Sequence, residues 1–552
     1  MICNMKPEHR SQNRCQSAKL YWVWFVSLSF ACCSCGTQND NGPPLSRPDA
    51  TDENAVKVGL TVYNVMDFGA VGDGQSLDTT AIQRTIDSAA VAGGGTVYFP
   101  PGTFLSGTLQ LKDNTSLYLS LGSTLSGSKN LQDYDQEKTH LIFADDAHNI
   151  SIRGAGVIDG NGPSFWDNGR LEQWLQGEIE LPRTKDMIRF DQCENVRLEQ
   201  VRIKDGAFWN IGFGDCHGIA IDGIRIRTGV YENDGPNTDG INLWNCTNVT
   251  ISDCDIVTGD DCIVVLGNSR DVTITNCQLQ TSETALMISG VQNLAFSNST
   301  IRDSGCGIGF RVWTDILVDG VTIDNITLST SKRYQGGGTA IYIWSFPIYT
   351  ETIITDQQDL PPPGVIRNVN ISNFVATANG LVCVNGYQDA PVEGLTLDNV
   401  QFTMFGGKQS EYNDKPPYPY PIYGFHNASP YGMFFRYVDD LALRNVRVRW
   451  KEPERADWGS ALRCWNVNNL ELAGFFGRHA AESTQATVSL QGVSGALIRD
   501  CRAANGTGTF LELLGGTKSV SLIGNELFQS ITPVDNQSGH EYFSANNHLP
   551  EK

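Results

Sequence analysis

A short phrase recurs along this chain: a turn-forming Asn, Asp, Gly or Ser, then apolar and polar residues in alternation, then a second turn. Copies read NISIRGAGVIDG from Asn149, NVRLEQVRIKDG from Asn195, NVTISDCDIVTG from Asn248 and DVTITNCQLQTS from Asp271. Looser copies start at Gly218, Asn293, Gly320, Asn368, Gly394, Asp440, Asn469, Gly495 and Ser519. Alternation puts every second side chain on one face, the mark of a strand with one side in a core. Most copies lie 22 to 30 residues apart, and three steps, after Asn149, Gly320 and Gly394, run to 46–48. A long step fits either a coil without a clear phrase or a coil with a long loop. Short strands at a period in the twenties predict an all-β solenoid, a parallel β-helix in which each coil buries its face on its neighbours. A leucine-rich repeat needs a regular Leu/Asn consensus, which is absent.

One helix is expected ahead of the phrases, from the N-cap candidate Asp78 to Ala92, with Ile82, Ile86, Ala89 and Ala90 on one face. Gly93-Gly94-Gly95 stops it, and it is expected to cap the N-terminal end of the solenoid. At 552 residues the chain is long for one ordinary domain, but a solenoid escapes that limit. Abundant glycine (56 residues) and few charged residues (18%) fit β structure rich in turns.

Charge and cysteine usage narrow the function classes. Net charge is −21 and the pI about 4.8, so the chain lacks the basic footprint that nucleic-acid binding needs. An anionic polymer could still be held by a local basic patch. No Cys/His grouping has metal-ligand spacing, and no cofactor is expected. Cys193 and Cys216 are 23 residues apart, as are Cys254 and Cys277, each pair at one phrase position. Stacked buried thiols are the expectation, with one or two disulfides as the alternative.

The N-terminus reads as an export signal. Lys6, Arg10, Arg14 and Lys19 precede an apolar run from Leu20 to Ala31, which is short for a membrane span. The run leads into Cys32-Cys33-Ser34-Cys35, as in a bacterial lipoprotein signal, with Cys33 and Cys35 the leading candidates for lipidation. Residues 1–35 are assigned as signal, 36–60 as a polar linker and 61–545 as a single catalytic β-helix domain. The expected location is the outer membrane or periplasm, with secretion as the alternative. The only membrane contact expected is the lipid, and a monomer is expected.

Three carboxylates carry the candidate chemistry. Asp239 lies in Asn237-Thr238-Asp239-Gly240, and Asp260 and Asp261 follow in Gly259-Asp260-Asp261-Cys262, 21 residues after Asp239. An acidic pair alone means little, since Asp145-Asp146 and Asp439-Asp440 lack this setting. One coil of offset, however, would stack the three on neighbouring coils about 4.8 Å apart. Crowded carboxylates push their pKa values apart, so one serves as acid and another as base, as glycosidic cleavage requires. Three segments interrupt the coils with aromatics that suit sugar platforms or loop anchors. Residues 163–185 carry Trp166 and Trp174, residues 333–363 carry Tyr342 and Trp344, and residues 406–433 are rich in Tyr and Pro.

With an N-terminal NVMDFGAVGDG and GGGTVYFPPGTF, these motifs resemble the family 28 glycoside hydrolases, the polygalacturonases and their relatives. The resemblance covers about Tyr63 to Val446. It implies a right-handed β-helix that hydrolyses pectic chains with inversion. It gives Asp260 the role of general acid, has Asp239 and Asp261 activate the water, and makes Asn237 a site residue. Two departures stand out. The Gly-His-Gly expected after the Asp pair reads Glu283-Thr284-Ala285, placing Thr284 where the His belongs and making it, with Asn237, a substrate-binding candidate. The expected Arg-Ile-Lys reads Arg311-Val312-Trp313, so Arg311 is kept, as a substrate ligand or as a structural salt-bridge residue, while Trp313 replaces the Lys and could stack on a sugar. Lys332 and Arg333 are alternative sources of charge. A Ca²⁺-dependent lyase with a Lys or Arg base, and a non-catalytic glycan-binding relative, are the competing functions. In every case the expected partner is a polysaccharide or oligosaccharide.

Overall fold

The computed structural model describes residues 61–166, 173, 179–229, 235–330, 338–345, 362–405, 431–451 and 458–551. The signal and linker assigned to residues 1–60 lie outside them, as do Trp174, Lys332 and Arg333. The described chain is all-β apart from one α-helix and three short 3₁₀ turns. Every paired strand runs parallel to its partner, and most pair with the strand one coil earlier and one coil later.

The recurring phrase explains this architecture. Its first apolar residue forms an unbroken ladder, from Ile150 to Val196, Ile219, Val249, Val272 and onward to Val520. Each member is buried, and fully burying such a side chain is worth roughly 1.5–3 kcal/mol. The first residue of each phrase has a positive φ, between 55° and 77°. Only glycine, and at lower cost Asn and Asp, adopt that conformation readily, which is why those residues recur there. Ser519 is the exception, at φ 57°. Asn248→Ala should therefore lower stability by about 1 kcal/mol and Asn248→Gly by less, as read by chemical denaturation.

The three long steps are single coils with excursions. Ile150 pairs directly with Val196, Val321 with Val369, and Leu395 with Leu441. Sequence spacing left this open, and the register decides it. The cysteines behave as stacked thiols: the ten described ones are buried, and the Cys193 N–H donates to Cys216 Sγ at 3.4 Å.

Helix α1 (Thr79–Val91) buries Ala81, Ile82, Ile86 and Ala89 in the same apolar cluster as the first strands, a cluster that extends to Leu527. Asp78 occupies the N-cap but does not cap with its side chain. Its carboxylate instead accepts the Val71 and Gly72 N–H groups at 2.7 and 3.0 Å, tying the preceding glycine turn to the helix.

A second row of strands carries the site. Ile188–Asp191, Ile211–Gly214, Ile241–Trp244 and the first residues of Ile263–Thr275 stack in register, then continue through Thr284–Ser304 and Cys306–Val312 to Thr339–Ser345. Phe190, Phe213, Leu243, Val265, Ile288 and Phe310 point inward. The alternate residues Arg189, Gly212, Asn242, Val264, Met287, Gly309 and Tyr342 lie on the outer face. Tyr342 and Trp344 belong to this row, not to a loop, and both are buried. Their placement in a loop is thus corrected, and of the two roles open to them, sugar platform or anchor, burial fits the anchor. The same alternation that fills the interior turns them onto a covered outer face, where they cluster with Val264, Leu266 and Met287.

Candidate active site

Backbone pairing between two coils builds the site. The Gly240 N–H donates to the Asp261 carbonyl and the Ile241 N–H to the Cys262 carbonyl, both at 2.9 Å. Asp239 therefore lies beside Asp261 on the neighbouring coil, with Asp260 one residue earlier. The motif glycines are steric necessities. A Cβ on Gly240 would sit 2.4 Å from the Cys262 carbonyl oxygen, and one on Gly259 would sit 2.8 Å from Thr238 Oγ1. The two segments thus touch closely just where the carboxylates emerge.

Each acidic residue is held from behind. The Asp239 carbonyl accepts the Asn210 N–H at 2.9 Å and Asn210 Nδ2 at 2.7 Å. Asp260 Oδ1 accepts the Asp261 N–H at 2.9 Å, and the Asp260 carbonyl accepts the Thr258 hydroxyl at 2.6 Å and the Thr281 hydroxyl. Asp261 Oδ1 accepts the Thr284 N–H at 2.8 Å. Thr284 itself is fully buried, its Oγ1 3.1 Å from the Tyr342 hydroxyl. The structure thus puts Thr284 behind Asp261, where it orients the carboxylate through its backbone.

The electrostatics separate the three acids. Burial, then the charges of Asp260 and Asp261, hold the Asp239 pKa well above the usual carboxylate range. Burial and the Asp260 charge push Asp261 up to about 7, against the pull of Arg311 and the Thr284 N–H. Asp260 is also raised by burial, but the Asp261 N–H, Arg311, Arg183 and the Asn237 backbone all oppose the rise. In the free site a proton therefore resides more readily on Asp239 than on Asp260.

The other expected residues surround this trio. Asn237, at φ 55°, accepts Arg183 Nη2 on its Oδ1 at 2.8 Å. Arg311 is the next-to-last residue of the strand Cys306–Val312, its guanidinium 5.7 Å from the Tyr342 ring centroid and its charge felt at both Asp260 and Asp261. Trp313 lies just past that strand, half-buried, its carbonyl accepting the Ile316 N–H at 3.1 Å. Trp166 is a buried anchor: its Nε1 donates to the Ala207 carbonyl at 3.0 Å, and its ring covers Gly235.

Arg183 was not legible from the sequence. It stands alone in Leu181-Pro182-Arg183-Thr184, inside a long step without a phrase. A single arginine at that distance from the carboxylates carries no spacing signal. The only hint is that the segment is an excursion from a repeat, the kind of place where site residues are added to a scaffold.

Parallel coils bearing one buried carboxylate, Asp239, two half-buried ones, Asp260 and Asp261, and flanking arginines define a class: a β-solenoid with a candidate acid–base site. The chain belongs to the glycosyl hydrolases family 28, whose model matches residues 95–418. It is 25% identical over 389 residues to polygalacturonase-2 of Solanum lycopersicum, a match covering 66% of this chain and 79% of that one. A probable polygalacturonase of Vitis vinifera is 30% identical over 237 residues, covering 39% of this chain and 46% of the relative. In fold, the chain is similar to an exopolygalacturonase from Thermotoga maritima, with a TM-score of 0.55, 20% identity, and coverage of 70% of this chain and 92% of that one.

Proposed function

We propose that the chain is a glycosidase that hydrolyses glycosidic bonds in a pectic or related plant polysaccharide, with inversion at the anomeric carbon. The observation that carries this reading is the meeting of Asp239, Asp260 and Asp261 on adjacent coils, flanked by Arg183 and Arg311. Family membership and the polygalacturonase names of its relatives support the substrate class.

Inversion needs an acid to protonate the leaving oxygen and a base to take a proton from water on the opposite face of the sugar. Asp260 is assigned as the acid, and Asp239 with Asp261 as the base pair. The free site favours the opposite placement of the proton, and a bound uronate would reverse it. A substrate carboxylate paired with Arg311 offsets the cation that draws Asp260 down, so the Asp260 pKa rises when substrate arrives. Trp313 is assigned to stack on a sugar, Asn237 to hold the site, and Thr284 to act behind Asp261. No cofactor enters the reaction.

The same reading makes the solenoid right-handed, with α1 as its N-terminal cap and residues 61–545 as one domain. It places the protein outside the cytoplasm as a lipid-anchored monomer, on the outer membrane or in the periplasm.

Incubation with a panel of pectic fractions tests it. Reducing ends should appear, and nuclear magnetic resonance should show a first-formed product of inverted anomeric configuration. An unsaturated product absorbing in the ultraviolet would make the protein a lyase instead. Glycan binding with no product would make it a binding protein.

A further inference from the structure

We propose that Arg183 is a positioning residue for the acid–base trio, acting through Asn237 and through its charge on Asp260; this rests on the hydrolytic reading above. Its fork reaches three separate pieces of the site. Nη1 donates to the Ala207 carbonyl at 3.0 Å and to the Pro236 carbonyl, and Nη2 donates to Asn237 Oδ1 at 2.8 Å. The guanidinium lies over the Phe208 ring, 4.6 Å from its centroid. One side chain thereby joins the coil that ends in Phe208-Trp209-Asn210 to the turn that presents Asp239. A planar guanidinium does this and an ammonium does not, because only the fork satisfies several acceptors at fixed angles.

The consequences for the reaction follow from that geometry. Asn237 sits in a left-handed turn, and its backbone hydrogen-bonds Asp260. Fixing the Asn237 side chain therefore fixes the segment that meets Asp260 on one side and leads into Asp239 on the other. The cation acts on the same two acids. It is felt at Asp260, and both Asp239 and Asp260 are felt at Arg183. Burial pulls the guanidinium down to about 9, against Glu180, Asp260 and Asp239, which leaves it charged at neutral pH. With Arg311 reaching Asp260 and Asp261 from the later coil, the trio sits between two cations. Arg183 is the one supplied by an excursion from the repeat.

Two substitutions separate this role from simple loop anchoring. Arg183→Met keeps the stem over Phe208 but removes fork and charge. It should move a limb of the kcat/KM pH profile to higher pH by about one pH unit, since a lost cation raises a carboxylate pKa, and should lower kcat by at least about tenfold. Arg183→Lys keeps the charge and loses the fork, so the limbs should stay in place while kcat still falls about tenfold. Arg183→Met with unmoved limbs overturns the proposal, whether kcat falls or not, because a purely structural role predicts that result. Arg183→Lys with unchanged kcat also overturns it, and serves as the deciding variant if Arg183→Met fails to fold. Absence of turnover in the unaltered protein would instead sink the hydrolytic reading itself.

Discussion

Asp260→Asn is expected to lower turnover of a pectic polymer by about 10²–10⁴-fold, while circular dichroism and thermal melting stay close to those of the unaltered chain. The substitution is nearly isosteric. An Asn oxygen can still accept the Asp261 N–H that Asp260 Oδ1 accepts at 2.9 Å, and the carbonyl contacts to Thr258 and Thr281 do not involve the side chain. What is lost is a proton the site can give. Asp239→Asn should cost a similar factor for a different reason, the loss of a group that takes the proton from water. A substrate with an activated aryl leaving group distinguishes the two, because such a group departs without protonation. Asp260→Asn should recover most of its lost rate on that substrate, and Asp239→Asn should recover little. The reverse pattern would exchange the two roles, in line with the free-site electrostatics, in which Asp239 holds a proton more readily than Asp260. Equal losses on both substrates would show that Asp260 is not the acid.

The parts of this protein that repeat were readable, and the parts that occur once were not. A left-handed turn needs Asn, Asp or Gly, so Asn195, Asn248 and Asp271 announce their coils in the sequence itself. The alternation after each turn sets which side chains fill the interior, because each coil solves the same packing problem. The carboxylates were legible for a related reason: a repeat period turns a sequence offset into a spatial one. The offset points from Asp239 to the acidic pair as a whole, and the backbone register adds that Asp261 is its direct neighbour. Tyr342 and Trp344 were misplaced because their strand Thr339–Ser345 is apolar on both faces. A strand covered on its outer side loses the alternation that identifies the others. Arg183 lay out of reach altogether. Its partners Ala207, Pro236 and Asn237 come from two later coils, and nothing in a chain excursion encodes where its tip will land.

Asp261→Asn should stabilise the fold above neutral pH while impairing catalysis. Burial and the Asp260 charge raise the Asp261 pKa to about 7, against an unfolded value of about 3.9. Between those two values the folded chain binds more protons than the unfolded one, so stability falls as pH rises from about 4 to about 7 and stays reduced above that. A tenfold difference in proton affinity is worth about 1.4 kcal/mol, so the gap between the folded and unfolded values bounds the loss at about 4 kcal/mol. Asn carries no charge at any pH and retains an oxygen for the Thr284 N–H, which Asp261 Oδ1 now accepts at 2.8 Å. The variant should therefore melt at a higher temperature than the unaltered protein at pH about 8, with the difference shrinking toward zero near pH 4. A difference in melting temperature that is the same at both pH values would mean that Asp261 is not a strained charge in the folded state. The expected result has a functional meaning. A site that crowds Asp239, Asp260 and Asp261 together, the first buried and the other two half-buried, is unfavourable for folding at the pH where they are charged. The surrounding coils tolerate it because their ladders are stabilised independently of it.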